Sequence, residues 1–133
     1  MFLHSDDIHY KNPSVAYATS PIIAGEYTFC GPLLFNDKPI KKWDMGIFQD
    51  DDGSGYLVTH SGNLYKLADD YKSVSTQIVS DMTEGCEASA IFKHKGLYYW
   101  LGSDLTGWER NDNYYFTATS LKGPWEKRGR FAP

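Results

Sequence analysis

Apolar and polar residues along this chain fall into short alternating runs rather than recurring at helical spacing, which predicts a succession of β-strands. The runs lie at residues 15–18, 27–30, 45–48, 56–58, 90–92, 97–101 and 114–118. Between them stand Asn12-Pro13, Gly31-Pro32, Asp50-Asp51-Asp52-Gly53, Ser61-Gly62-Asn63, Lys95-Gly96 and Gly123-Pro124. These residue types supply the left-handed or fixed backbone angles of tight turns. One segment also fits a helix, since Leu64, Leu67, Ala68 and Tyr71 stand at i, i+3, i+4 and i+7. It spans barely two turns without a capping signal, so a strand at 64–67 followed by a turn at Asp69-Asp70 is the preferred reading. The predicted fold class is all-β.

The runs repeat as a unit. Ile47-Phe48, an acidic glycine-containing turn and Tyr56-Leu57-Val58 are echoed by Ile91-Phe92, His94-Lys95-Gly96 and Tyr98-Tyr99-Trp100, a shift of 44 residues from Phe48 to Phe92. A second echo links Ala18-Thr19-Ser20, Gly25 and Tyr27 with Ala118-Thr119-Ser120, Gly123 and Trp125, each reading as a third strand, a turn and an outer strand. The period is that of a propeller blade. On this basis the chain divides into the end of one blade at about 1–36, a second blade at about 37–80 and a third at about 81–133. That makes about two to three blades, fewer than the roughly four to eight that surround a propeller channel. The expectation is a single partial β-propeller domain. Its open sheet edges invite association with another chain, a second copy included.

Composition bears on partners more than on fold. The 133 residues carry a formal net charge of -4, with no cationic run longer than Lys41-Lys42, which argues against nucleic acid or an anionic membrane surface. No stretch approaches the ~18 apolar residues of a membrane span, and the first residues lack the charged and apolar regions of a signal peptide. Cys30 and Cys86 allow one disulfide but show no C-x-x-C spacing, and His4, His9, His60 and His94 show no metal-binding spacing. The acidic turn has Phe48 and Thr59 where a calcium loop needs oxygen ligands, so it reads as a solvated hairpin. Neither metal nor cofactor is expected. Aromatic residues reach 16%, which suits pleated sheets and also clefts that stack sugar rings.

Asp44-Met45-Gly46-Ile47-Phe48-Gln49-Asp50-Asp51-Asp52-Gly53, followed by Tyr56-Leu57, resembles the second-blade motif of glycoside hydrolase family 43, a family of five-bladed propellers. Glu87-Ala88-Ser89-Ala90-Ile91-Phe92-Lys93, with Gly96 and Tyr98-Tyr99, is similar to the third-blade motif that holds that family's general acid. His4-Ser5-Asp6-Asp7 with Tyr10, Leu105-Thr106-Gly107-Trp108 and Leu121-Lys122-Gly123-Pro124-Trp125 resemble the galactan 1,3-β-galactosidase branch.

The resemblance implies a glycosidase acting with inversion on β-linked galactan or galacto-oligosaccharide, a reaction that needs an acid and a base on opposite faces of the sugar. It implies Glu87 as catalytic acid, Asp44 as the unprotonated partner that tunes and orients it, and Tyr10, Thr106 and Trp108 as substrate-binding residues. From the residues alone, Glu84 in the same loop competes for the acid role. The family's base lies in segments that this chain does not match. Two positions depart from the family: Ser89 stands where Pro is usual, and Trp43 where Arg is frequent. The resemblance also implies a parent enzyme that is secreted or periplasmic. The alternative reading is a non-catalytic carbohydrate-binding or structural fragment.

Overall fold

A computed structural model describes residues 1–132, and among them it contains strands, turns and bends but no helix. In chain order the strands are β1 (Phe2–Ser5), β2 (Ser14–Thr19), β3 (Thr28–Pro32), β4 (Leu34–Phe35), β5 (Lys38–Pro39), β6 (Met45–Gln49) and β7 (Gly55–Thr59). They continue as β8 (Asn63–Leu67), β9 (Val74–Val79), β10 (Cys86–His94), β11 (Leu97–Asp104), β12 (Asn113–Ala118) and β13 (Glu126–Ala132). The sheets are β1-β2-β3, the small hairpin β4-β5, β6-β7-β8-β9 and β10-β11-β12-β13. Sequence neighbours pair antiparallel throughout, as short turn-forming connections require.

The internal repeat is one of register. Phe48 faces Tyr56 across β6–β7, and Phe92 faces Tyr99 across β10–β11. Tyr99, rather than Tyr98, therefore occupies the place of Tyr56. The shift arises at the turns: β10–β11 closes through two residues, Lys95 and Gly96, at φ 48° and 81°, whereas β6–β7 carries the longer acidic turn. A one-residue offset moves a side chain to the other face. Tyr98 accordingly points toward the β6–β9 sheet, while Tyr99 stacks on Phe92 at 4.8 Å on the opposite, partly exposed face.

The strand expected at 64–67 is β8. Gly31-Pro32, expected as a turn, lies instead inside β3. That strand is at the sheet edge, where Pro costs no ladder hydrogen bond, and its pairing with β2 shifts between Tyr17 and Ala18. Two strands gave a weak apolar signal because they are outer strands with polar content: β9 carries Ser75, Thr76 and Gln77, and β13 opens with Glu126, Lys127 and Arg128. Charged outer edges oppose unwanted pairing.

Two apolar clusters stack the sheets. Val15, Leu33, Leu57, Tyr65 and Leu67 fill the space between β1–β3 and β6–β9. Tyr56, Val58 and Leu64 meet Ile91, Tyr98, Trp100 and Phe116 between β6–β9 and β10–β13. The β6–β9 sheet is thus covered on both faces, which explains why every residue of β7 is buried. Trp100, fully buried, lies edge-on to Trp125 at 5.3 Å.

The acidic turn after β6 corrects the expectation of a wholly solvated hairpin. The Asp50 side chain is only 12% exposed. It accepts hydrogen bonds from the Tyr98 hydroxyl (2.6 Å) and from Lys93 Nζ (3.1 Å), both on the neighbouring sheet. Lys93 also reaches Asp51 at 2.8 Å. Burial works against the charge on Asp50, but the Tyr98 hydroxyl, the Asp51 N–H and Lys93 together outweigh it and hold its pKa below the ordinary carboxylate value. Asp50→Asn should lower the unfolding free energy by about 1–3 kcal/mol, the range for hydrogen bonds to charged groups. A depressed folded-state pKa gives a contribution that is complete above the unfolded value of about 3.9 and is lost as pH falls through the folded one. Urea unfolding of both proteins should therefore show a wide gap at about pH 7 and a narrower one at about pH 2.5.

Candidate active site

Asp44 immediately precedes β6, and Glu87 is the second residue of β10. Pairing of β10 with β11 is interrupted between Glu87 and Ala90, and Ala88 takes φ 52°, so a bulge follows Glu87 directly. Bulges turn side chains away from their regular alternation and leave backbone groups unpaired. Here the freed Ala88 N–H donates to Asp44 Oδ2. One carboxylate thus holds the backbone beside the other, although the two residues are far apart in sequence. Both are partly exposed.

Three small contacts set this geometry. A Cβ on Gly46 would collide with the Ser89 carbonyl oxygen, so glycine lets β6 and the bulge meet backbone to backbone. Cys86 is buried with Sγ 3.6 Å from Ser89 Oγ, and it fits because Gly102 of β11 carries no side chain where that sulfur lies. The Ser61 N–H donates to the Cys86 carbonyl at 2.6 Å and the Leu105 N–H to the Gly85 carbonyl at 2.5 Å. Turns from two sheets therefore grip the start of β10. Cys86 and Cys30 are both free, the first buried and the second exposed.

Beside Asp44, Trp43 stacks on His60, with ring centroids 3.7 Å apart and planes inclined by 22°. His60 is buried in the β7–β8 turn. Burial, then the Lys42 charge, push its pKa down against the opposing pull of Asp44 and Asp81. Lys42 Nζ lies 3.8 Å from Asp81, which also accepts a hydrogen bond from Asn63 Nδ2 at 3.0 Å.

Among the described residues, no side-chain hydrogen bond joins Tyr10, Thr106 or Trp108 to Asp44 or Glu87. Tyr10 is 81% exposed in the β1–β2 connection. That loop is shaped by Asp6, which accepts from the Asn12 N–H, and by Asp7, which accepts from Asn12 Nδ2 and the Lys11 and His9 N–H groups. Asn12, then those backbone donors, hold the Asp7 pKa low, with a smaller pull from Lys41. Thr106 uses its hydroxyl within the β11–β12 loop, donating to the Glu109 carbonyl (3.0 Å) and accepting from Asn111 Nδ2 (2.5 Å). Trp108 stands fully exposed on the same loop. Because Cys86 pairs with Asp104, this loop sits at the end of the sheet where β10 begins. Glu84 is exposed in the preceding loop, and the backbone N–H that donates to Asp44 is that of Ala88, the residue after Glu87.

Sequence reasoning missed Gly46 and His60, and with His60 the support given to Trp43. The first lies inside a motif read for its carboxylates; a stacking partner at position 60 has no local signature.

The chain matches the family model of glycosyl hydrolases family 43 over residues 4–132, and it belongs to that family. Among solved structures it is similar to a protein assigned as an exo-β-1,3-galactanase from Bifidobacterium bifidum, at 36% identity and a TM-score of 0.86, over 97% of this chain and 45% of that one. It is also similar to an exo-β-1,3-galactanase from Phanerochaete chrysosporium, solved with β-1,3-galactotriose, at 31% identity and a TM-score of 0.84, over 97% of this chain and 32% of that one. An α-L-arabinofuranosidase from Clostridium thermocellum, at 18% identity and a TM-score of 0.70 over 99% of this chain and 48% of the other, shares the fold. The chain spans less than half the length of each, and it corresponds to part of a family 43 β-propeller. No curated protein matches it significantly.

Gly46→Ala should cost about 1–3 kcal/mol of stability, as overpacking does where backbone cannot yield. Urea unfolding checks this; an unchanged midpoint would mean that β10 can move away from β6 freely.

Proposed function

We propose that the chain is the acid-bearing part of a glycosidase that cleaves β-1,3-linked galactose units, with Glu87 as general acid and Asp44 as its tuning partner. The observation that carries this reading is the hydrogen bond from the Ala88 N–H to Asp44, which holds the Asp44 carboxylate against the backbone next to Glu87 on the neighbouring sheet. Glu87 would protonate the glycosidic oxygen as the bond to the leaving sugar breaks. Asp44, accepting the Ala88 N–H, would orient the acid-bearing bulge. In the inverting scheme a base on the opposite face takes a proton from the attacking water. No residue of this chain is assigned that role. The similar galactanases, one of them solved with β-1,3-galactotriose, support the substrate class. We assign Tyr10, Thr106 and Trp108 to the surround of the sugar, Thr106 by shaping its loop. In this reading β1–β3 is the outer part of one blade, and β6–β9 and β10–β13 are two further blades.

A second reading is favoured by the coverage of 45% and 32% of the similar galactanases: a part that binds the sugar and leaves turnover to the remaining segments. Release of galactose from β-1,3-galactotriose separates the two. If the purified chain turns over, Glu87→Gln should lower the rate by about 10²–10⁴, the range for a general acid. Turnover that survives this substitution would remove Glu87 from the acid role. Binding of the trisaccharide without release would favour the second reading.

A further inference from the structure

Trp43 is a large apolar residue, 43% exposed, directly ahead of Asp44. One face is covered: His60 stacks on it, with ring centroids 3.7 Å apart. His60 is itself 4% exposed, so the support is rigid, and its burial favours the neutral imidazole. The next residue, Ser61, donates its N–H to the Cys86 carbonyl at 2.6 Å. The support is therefore tied to the backbone that carries Glu87, while the supported ring adjoins Asp44. With His60 against one face, the exposed area of Trp43 is left to the other face and the ring edges.

We propose that the open face of Trp43 is a stacking platform for a galactopyranose ring at the Asp44–Glu87 pair, with His60 as the positioning residue that fixes it. The axial 4-hydroxyl of galactose leaves the C–H groups of carbons 3, 4 and 5 together on one face, an apolar patch that suits an indole. Glucose, with an equatorial 4-hydroxyl, lacks that continuous patch. An indole face recognises a sugar by its shape rather than by hydrogen bonds or charge, which turns the site toward the apolar face of the ring. The inference rests on the proposed galactoside reading and goes beyond it by naming the residue that selects the sugar.

The test is calorimetric titration of the whole chain with β-1,3-galactotriose and, in parallel, β-1,3-glucotriose. Trp43→Ala should weaken galactotriose binding at least about tenfold, and Trp43→Phe, which keeps a ring face, by less than about threefold. Trp43→Arg should reduce the preference for galactotriose over glucotriose, a change that loss of fold alone would not give. His60→Ala should weaken binding by an amount between those of Trp43→Phe and Trp43→Ala. Affinity and preference unchanged in Trp43→Ala and Trp43→Arg, with wild-type protein binding, would overturn the platform and leave the galactoside reading standing. Failure of the wild-type protein to bind galactotriose would instead overturn the galactoside reading, and the platform with it.

Discussion

Where β6 passes β10, the backbone of Gly46 lies against the carbonyl of Ser89, too close for any side chain to stand between them. The two sheets are clamped at both ends of this approach. At one end Asp44 accepts the Ala88 N–H, and at the other Asp50 accepts the Tyr98 hydroxyl and pairs with Lys93. Between the clamps, Tyr56, Val58 and Leu64 meet Ile91, Tyr98 and Trp100 in a continuous apolar layer. Burial supplies the attraction there, but it is not directional. The polar clamps set how far one sheet slides along the other, and so where the first residues of the two inner strands come to lie.

The site follows from that sliding position. A bulge after Glu87 frees one N–H, and the nearest acceptor is the carboxylate that opens the adjacent inner strand. The same carboxylate adjoins Trp43, whose stacking on His60 links a third turn to the assembly. Ser61, next to His60, holds the residue before Glu87. The Asp44 carboxylate, the aromatic ring and the bulge after Glu87 are thus joined in one short circuit of contacts. Rigid support of this kind fixes side chains in place ahead of any ligand, as a pre-organised site requires.

Much of the fold was legible along the chain. Alternation and turn residues located most strands, and the echo of Ile47-Phe48 in Ile91-Phe92 revealed the repeating sheet. The echo erred by one residue at Tyr98 because turn length is a local feature whereas facing is decided by pairing, and a one-residue slip exchanges the two faces. Gly31-Pro32 read as a turn because both residue types also serve bulged edge strands. The acidic turn read as solvated because a neighbouring sheet, with Lys93 and Tyr98, cannot be seen from the turn itself.

By itself, then, the sequence determined the strand-and-turn succession, the repeat and the two motifs in which Asp44 and Glu87 stand, because strand periodicity and turn conformation depend on residues within a few positions of one another. Tertiary structure decided the rest: that Asp44 binds the backbone beside Glu87, that Gly46 must be bare, that Asp50 is a clamp and that His60 backs Trp43. Each of these is a contact between residues on different strands, turns or sheets. Such contacts depend on the register and separation of packed strands, which no local pattern encodes.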